Sequence, residues 1–521
     1  MNSITLQARY MTADIRIPAV VVSLLISLWV TWSTDVINND GVLYLSAAKM
    51  ISAGDWGAAC GLPKLGCWLL FPSLIALFGK LTALSVENSA YLLDAALSGL
   101  MVFVFLTLVR DLGAGRRTLL IAAFIILLHP YLNESRADVI RDHGYWAFYL
   151  ATVLFFMRYW KHPGWRYALL WAMAATVATL FRIEGLVFLL LLPLVLLIDT
   201  SRRRKERMLL LLKAHTLAGM LATALLGWWV LDPAFSADQA GRLFEPVQRI
   251  MEVGEQLRTG LQARVQVIGD EVLGHYLDQY AFKALWVMLG FIMLSKIFSI
   301  LTPLYTLPLL FTRLRIRINP PAGLVRVIVW LVILNMGILL VELLTRFVLS
   351  GRFAMPLVLT VLLVVPFVFD VLYDHWRNRD SSPVQKWILF PVIIAVFLFM
   401  SVDGLYSSGK GSKTYLREAG YWLESQVTPA TRLFSNDRRV IYYSGMDVDW
   451  GQRVGGKHTM KVLKRGSWRQ YDYVAIQAGH GDTTLRRMTG KVFGVPTRTF
   501  SNNKQDSVLI FRIENDAGDV S

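Results

Sequence analysis

Cysteine is nearly absent from this chain. Its 521 residues include two, Cys60 and Cys67, which excludes a disulfide-built scaffold and argues against a cysteine-held metal. Both lie in one loop. They either close a short disulfide, worth roughly 2.5 kcal/mol by loop entropy if the loop faces an oxidising compartment, or stay as two thiols. Charge is scarce as well: 17% of residues are charged, against about a quarter in soluble domains. There is no Walker sequence and no glycine-rich dinucleotide fingerprint. Internal repeats and low-complexity tracts are missing, and so is any basic, aromatic-interleaved module that would bind nucleic acid. The isolated acidic pair Asp447 and Asp449 has nothing nearby to complete a metal shell. No metal and no cofactor is therefore expected. Ile17 to Trp32 is long for a signal-peptide core and lacks a small-residue cleavage site, so it is expected to be a retained first span rather than a cleavable leader.

Apolar sequence is abundant. Hydrophobic residues make up 55% of the chain, the mean hydropathy is +0.47, and runs of membrane-spanning length recur. These features describe an α-helical polytopic membrane protein. Apolar runs read against their cationic flanks give about eleven transmembrane helices, near 17–33, 89–109, 118–131, 144–160, two short halves of 167–199, 208–231, 281–311, 323–341, 353–373 and 387–402. With the N-terminus inside, each cationic cluster between spans falls on the cytoplasmic side. Residues 1–402 then form the membrane domain. Residues 403–521 form a small extracytoplasmic α/β domain with a helix near 413–426 and strands near Arg432–Phe434, Tyr473–Ile476 and Val508–Ile513. A kink is expected near Pro303, and two interfacial helices near 42–53 and 68–81. The polar outer loop Asp232 to Gln279 reads as helical, with Leu243, Val247, Ile250 and Met251 on one face, and carries no motif. The formal charge of +16 has two readings: positive-inside loops, or attraction to an anionic substrate or lipid surface.

Charges expected at the outer membrane edge are Asp40, Lys64, Arg136, Asp138, Arg141, Asp142, Arg182, Glu184, Arg346 and Arg352. Some serve solubility; convergent polar groups at the mouth of a helix bundle also mark a site. Arg182 and Glu184 interrupt an apolar stretch. A charge at the bilayer centre costs about 2.5–3.5 kcal/mol on insertion scales, so this pair needs a lined cavity or forms a structural salt bridge. Asp40 is either a working base or the N-cap of the helix that follows it.

Asp40-x-x-x-Tyr44 with Ala47-Ala48, then Gly54-Asp55-Trp56 and Pro63, resembles the first outer loop of GT-C glycosyltransferases, in the branch of the protein O-mannosyltransferases and the lipid A aminoarabinose transferase. Further matches follow in order: His129-Pro130-Tyr131 before an acidic second outer loop, then Arg352-Phe353-Ala354-Met355-Pro356. In the tail come Tyr415 to Leu423, Ser435-Asn436-Asp437 and Tyr442-Tyr443-Ser444-Gly445. The resemblance implies inverting transfer of a sugar from a polyprenyl (undecaprenyl) phosphate donor to a lipid A, polysaccharide or protein acceptor, at the periplasmic face of a bacterial inner membrane. Asp40 would take the acceptor proton. Arg182 and Arg352, with Lys64, Arg136 and Arg141 behind them, would hold the departing phosphate. Asp142 would orient the acceptor or a cation, or satisfy Arg141 or His143. Tyr44, Glu184 and Arg346 would support the site. Two departures stand out: Gly41 where relatives often carry Glu, and Leu62-Pro63-Lys64 in place of Lys-Pro-Pro. The rival readings are a lipid-linked sugar flippase, which predicts broken helices in both halves, and a polysaccharide ligase or polymerase, which uses diphosphate donors.

Overall fold

The computed structural model describes residues 14–63, 65, 67–231, 258–311, 322–377, 395, 399, 413–428, 430–450 and 454–513. By contacts the chain divides into two units. One comprises Met1–Leu25, Ala95–Leu132 and Arg141–Ser401; the other comprises Ile26–Asp94, Asn133–Ile140 and Val402–Ser521. Loops read from the sequence as the first two outer loops thus share a unit with the tail.

Among the described residues three helices are long and apolar enough to cross a bilayer: Val86–Asp111, Asp278–Leu309 and Val325–Arg346. Gly351–Leu362 and Val365–Asp374, bent by 42°, make a fourth if they are one span. That bend was not expected. Several of the other expected crossings fall on shorter apolar helices, Arg16–Trp32 and Gly185–Ile198 among them. The last, near 387–402, lies outside the described residues except at 395 and 399.

The helix-rich unit shows its breaks where the sequence places obstacles. The helix Ala281–Phe311 is interrupted at Thr302 (φ 62°, ψ 150°), the residue before Pro303; the proline ring excludes α geometry from its predecessor. The stretch expected to turn at Arg182 and Glu184 does so. Helix Trp165–Phe181 stops at an extended Arg182, and Gly185–Leu191 starts anew, continuing as a 3-10 helix to Ile198. Gly185 is required by this reversal, because a Cβ there would stand 2.4 Å from Thr179 N and 2.7 Å from Ala178 C, both backbone atoms. Gly185→Ala is therefore expected to cost about 1–3 kcal/mol by overpacking, read as a lower unfolding temperature in detergent. Gly219→Ala, in open space on helix Arg204–Leu231, should leave that temperature unchanged or raise it, since alanine is the better helix former.

In the other unit, the tail builds a four-stranded sheet in the order β1-β2-β4-β3 from β1 (Leu433–Ser435), β2 (Tyr473–Ala478), β3 (Arg498–Ser501) and β4 (Ser507–Arg512). β1 and β2 run parallel, and the other pairs are antiparallel. Alternation along β2 sends Tyr473 and Ala475 to one face and Val474, Ile476 and Ala478 to the other, as the period of two demands. Helices Thr414–Glu424 and Arg438–Tyr443 cover the first face, while Gly456–Arg465 and Thr483–Phe493 cover the second. The expected helix and three strands are present; β3 and the remaining helices were not foreseen. Cys60 and Cys67 are joined as a disulfide beside helix Trp56–Gly61, so the bridged alternative is the one observed.

Candidate functional site

In the tail-bearing unit the centre is helix Asn39–Ser52. Asn38 is its N-cap by backbone position, but its side chain makes no capping bond. Instead Val139 N–H donates to Asn38 Oδ1 at 2.9 Å, and Asn38 Nδ2 donates to Val139 O at 3.4 Å. This amide pairing ties the segment around Val139 to the start of helix Asn39–Ser52. Asp40 is thus not the N-cap. It sits in the first helical turn, where the positive end of the helix dipole favours a carboxylate, and it is partly exposed. Tyr44 lies one turn further on, buried, with its ring edge-on to Phe71 at 5.1 Å. Gly41 has a physical reason for lacking a side chain. A Cβ would approach Asn38 Oδ1 to 2.5 Å, Ile37 Cγ1 to 2.8 Å and Val139 Cβ to 3.2 Å. A side chain at position 41 and the Asn38–Val139 pairing exclude each other here.

The tail grips this helix at two points. Tyr443 Oη accepts from Ile37 N at 3.0 Å, and Lys49 Nζ lies 4.4 Å from the Tyr442 ring centroid. Gly420 makes room for Tyr443, whose Cβ would be 2.4 Å from a Cβ at that position. Asp55, read from the sequence as part of a family motif, accepts from Ala58 N at 2.8 Å and caps Trp56–Gly61. Arg136 is buried; it donates to Asn133 Oδ1 at 3.1 Å and bonds the Ser27 hydroxyl. Lys64 lies outside the described residues.

The helix-rich unit assembles the other candidates. Asp142 opens helix Asp142–Lys161 and is buried. Arg182, also buried, pairs with Asp142 through Nη1. Its Nε and Nη2 fork onto Glu184 at 3.2 and 2.7 Å, the bidentate geometry that guanidinium favours. The Phe353 ring centroid lies 4.2 Å from the Arg182 Cζ. Arg352 Nη1 stands 3.9 Å from Asp142 Oδ2, with its side chain 33% exposed. Arg346 pairs with Glu342 at 2.9 Å and is 59% exposed, while its Cζ lies 5.5 Å from the Phe353 centroid. Arg141 is partly exposed beside them in the chain. The structure therefore brings Asp142, Arg182, Glu184 and Arg352 into one network and leaves Arg352 its most open guanidinium. Asp142 holds cations, one of the roles the sequence allowed it.

Sequence reasoning assigned no role to three contributors, two of which it quoted only within motifs. Phe353 is a ring between two guanidiniums. Glu342 pairs with Arg346. Tyr131 packs where a Cβ on Gly351 would come within 2.6 Å of its ring. This last contact joins the His129-Pro130-Tyr131 and Arg352-Phe353 motifs, which stand far apart in the sequence. His129 is buried and stacked on Tyr305 at 5.6 Å.

No protein-family model and no curated protein matches the sequence. Solved structures do resemble the fold. The crystal structure of ArnT from Cupriavidus metallidurans in the apo state matches with a TM-score of 0.54 and 14% identity, covering 95% of this chain and 97% of that one. Two looser likenesses bear on nothing further. The archaeal oligosaccharyltransferase AglB from Archaeoglobus fulgidus has a TM-score of 0.47 at 12% identity, over 86% of this chain and 62% of that one. The mycobacterial arabinofuranosyltransferase AftD has a TM-score of 0.48 at 12% identity, over 97% and 42%. Over nearly its whole length, then, this chain shares the fold of ArnT.

Proposed function

We propose that the chain is a membrane glycosyltransferase that moves a sugar from a polyprenyl phosphate to an acceptor at the periplasmic face of a bacterial inner membrane. The observation that carries this reading is the buried Asp142–Arg182–Glu184 network with Arg352 half-open at its edge. Two carboxylates saturate Arg182, so its role is to fix Asp142, and Asp142 in turn holds Arg352 ready for an anion. A fixed cation is what a departing phosphate needs, because its charge grows as the bond to the anomeric carbon breaks. Arg346 and Arg141 add positive potential. In this scheme Asp40 removes the proton of the acceptor hydroxyl, the oxygen forms the new bond to the anomeric carbon, and the electron pair of the old bond leaves on the phosphate. Such attack from the opposite side inverts the anomeric centre. Phosphate departs readily, so one base suffices. The fold shared with ArnT agrees with what the sequence resemblance implies.

The test uses the purified protein in liposomes with a labelled polyprenyl-phosphate sugar and an envelope extract as acceptor. Free polyprenyl phosphate should appear in step with acceptor-bound label. Arg352→Ala, losing a charged hydrogen bond worth about 1.5–3 kcal/mol, should lower kcat/KM for the donor roughly ten- to hundredfold. Consumption of a diphosphate donor instead, or label crossing the bilayer without transfer, would sink the reading.

A further inference from the structure

We infer that the outer helical layer of the tail domain is a docking face for an acidic glycan chain in the aqueous phase. The sheet has two covered faces with different neighbours. The layer formed by Thr414–Glu424 and Arg438–Tyr443 meets the first loop, through Tyr443 on Ile37 and Tyr442 under Lys49, and Val36 packs into its core. The layer on the opposite face consists of Gly456–Arg465, the 3-10 turn Ser467–Gln470 and Thr483–Phe493. It contains no Asp or Glu. Lys461, Lys464, Arg465, Arg469, Arg487 and Lys491 are all exposed on it.

This pattern is not what solubility requires, since ordinary surfaces intersperse both signs. Within helix Gly456–Arg465, Thr459, Val462 and Leu463 face the core, which turns Lys461, Lys464 and Arg465 outward together. Arg486 is a counter-example on the same layer: it donates to the carbonyls of Ala478, Gly479 and Gln505 and serves the fold. The outward cations are spread over two helices and a turn. A chain with repeated negative charges, held by long-range attraction and counter-ion release, fits such a surface. Among them Trp468 is half-exposed, with Arg469 Cζ 4.8 Å from its ring centroid, and an aromatic face suits the C–H side of a pyranose. The layer lies on the sheet face opposite the one that meets the loop helix.

The experiment uses the full chain in phosphatidylcholine nanodiscs, with fluorescent polygalacturonate as probe and dextran as its neutral counterpart. Wild type should bind polygalacturonate and not dextran. Lys461→Gln, Lys464→Gln, Arg487→Gln and Lys491→Gln together should weaken binding at least tenfold. They should also make the slope of log affinity against log salt shallower by about three, at roughly 0.7 per contact. The same number of neutralisations elsewhere on the domain (Lys413→Gln, Arg432→Gln, Lys504→Gln and Arg512→Gln) should have little effect. In the unsubstituted protein, bound polygalacturonate should protect Lys461, Lys464 and Lys491 from acylation, read by mass spectrometry, and leave Lys413 and Lys504 reactive. Equal loss in both variants, absence of protection, or preference for phosphatidylglycerol vesicles over polygalacturonate would overturn the inference.

Discussion

Asp40→Asn is expected to lower the turnover of sugar transfer by about 10²–10⁴-fold, the usual contribution of a positioned general base. Donor affinity should change little. The substitution keeps the size of the side chain and removes only its basicity and charge. Asp40 stands in the first turn of its helix and is not the capping residue, and the helix dipole favours its charge by about 0.3–1 kcal/mol. Because asparagine keeps the shape of the side chain, expression and unfolding temperature should stay near wild type while kcat collapses. Asp55→Asn provides the matching control in the same loop. Asp55 caps Trp56–Gly61 through Ala58 N, and asparagine caps about as well as aspartate, so transfer should persist. Undiminished turnover in Asp40→Asn would remove the base from the mechanism. A collapse of turnover accompanied by an equal collapse of stability would assign Asp40 to the fold instead.

Features that were legible in the sequence share one property: their signal and their cause lie close together in the chain. The turn at Arg182–Glu184 shows itself as two charges inside an apolar run. The interruption at Thr302 follows from the proline after it. The start of helix Asn39–Ser52 follows from a polar cluster before an apolar one. Features that were not legible depend on partners far away. Arg182 read as a phosphate ligand or as the salt-bridge partner of nearby Glu184; the carboxylate that the sequence could not put beside it is Asp142, distant in the chain and brought to Arg182 only by folding. Gly41 looked like the loss of a second carboxylate, whereas its cause is the pairing of Asn38 with Val139. β3 escaped because Arg498-Thr499-Phe500-Ser501 is a largely exposed edge strand, and an edge strand needs no apolar alternation to pair with β4.

Arg182→Met should be among the most destabilising single substitutions in the helix-rich unit. It takes from the buried Asp142 carboxylate its nearest cation, leaving Arg352 at 3.9 Å, and removes both bonds to Glu184; breaking a buried pair from one side costs about 3–5 kcal/mol. Arg346→Met is the control, because its guanidinium is 59% exposed beside Glu342 and a pair of that kind contributes about 0–1 kcal/mol. Glu184→Gln should fall between them, since the amide still accepts from Arg182 while Asp142 retains its partner. The pairing itself is tested by combining Arg182→Met with Asp142→Asn. If each group's cost is the stranding of the other, the double variant should be more stable than the sum of the single losses predicts, by about 0.5–3 kcal/mol of coupling. Additive losses would mean that Arg182 and Asp142 act on the fold independently. Stability and transfer should then separate: the double variant recovers unfolding temperature, yet without Asp142 charged beneath it Arg352 is no longer held, so the donor KM should remain raised.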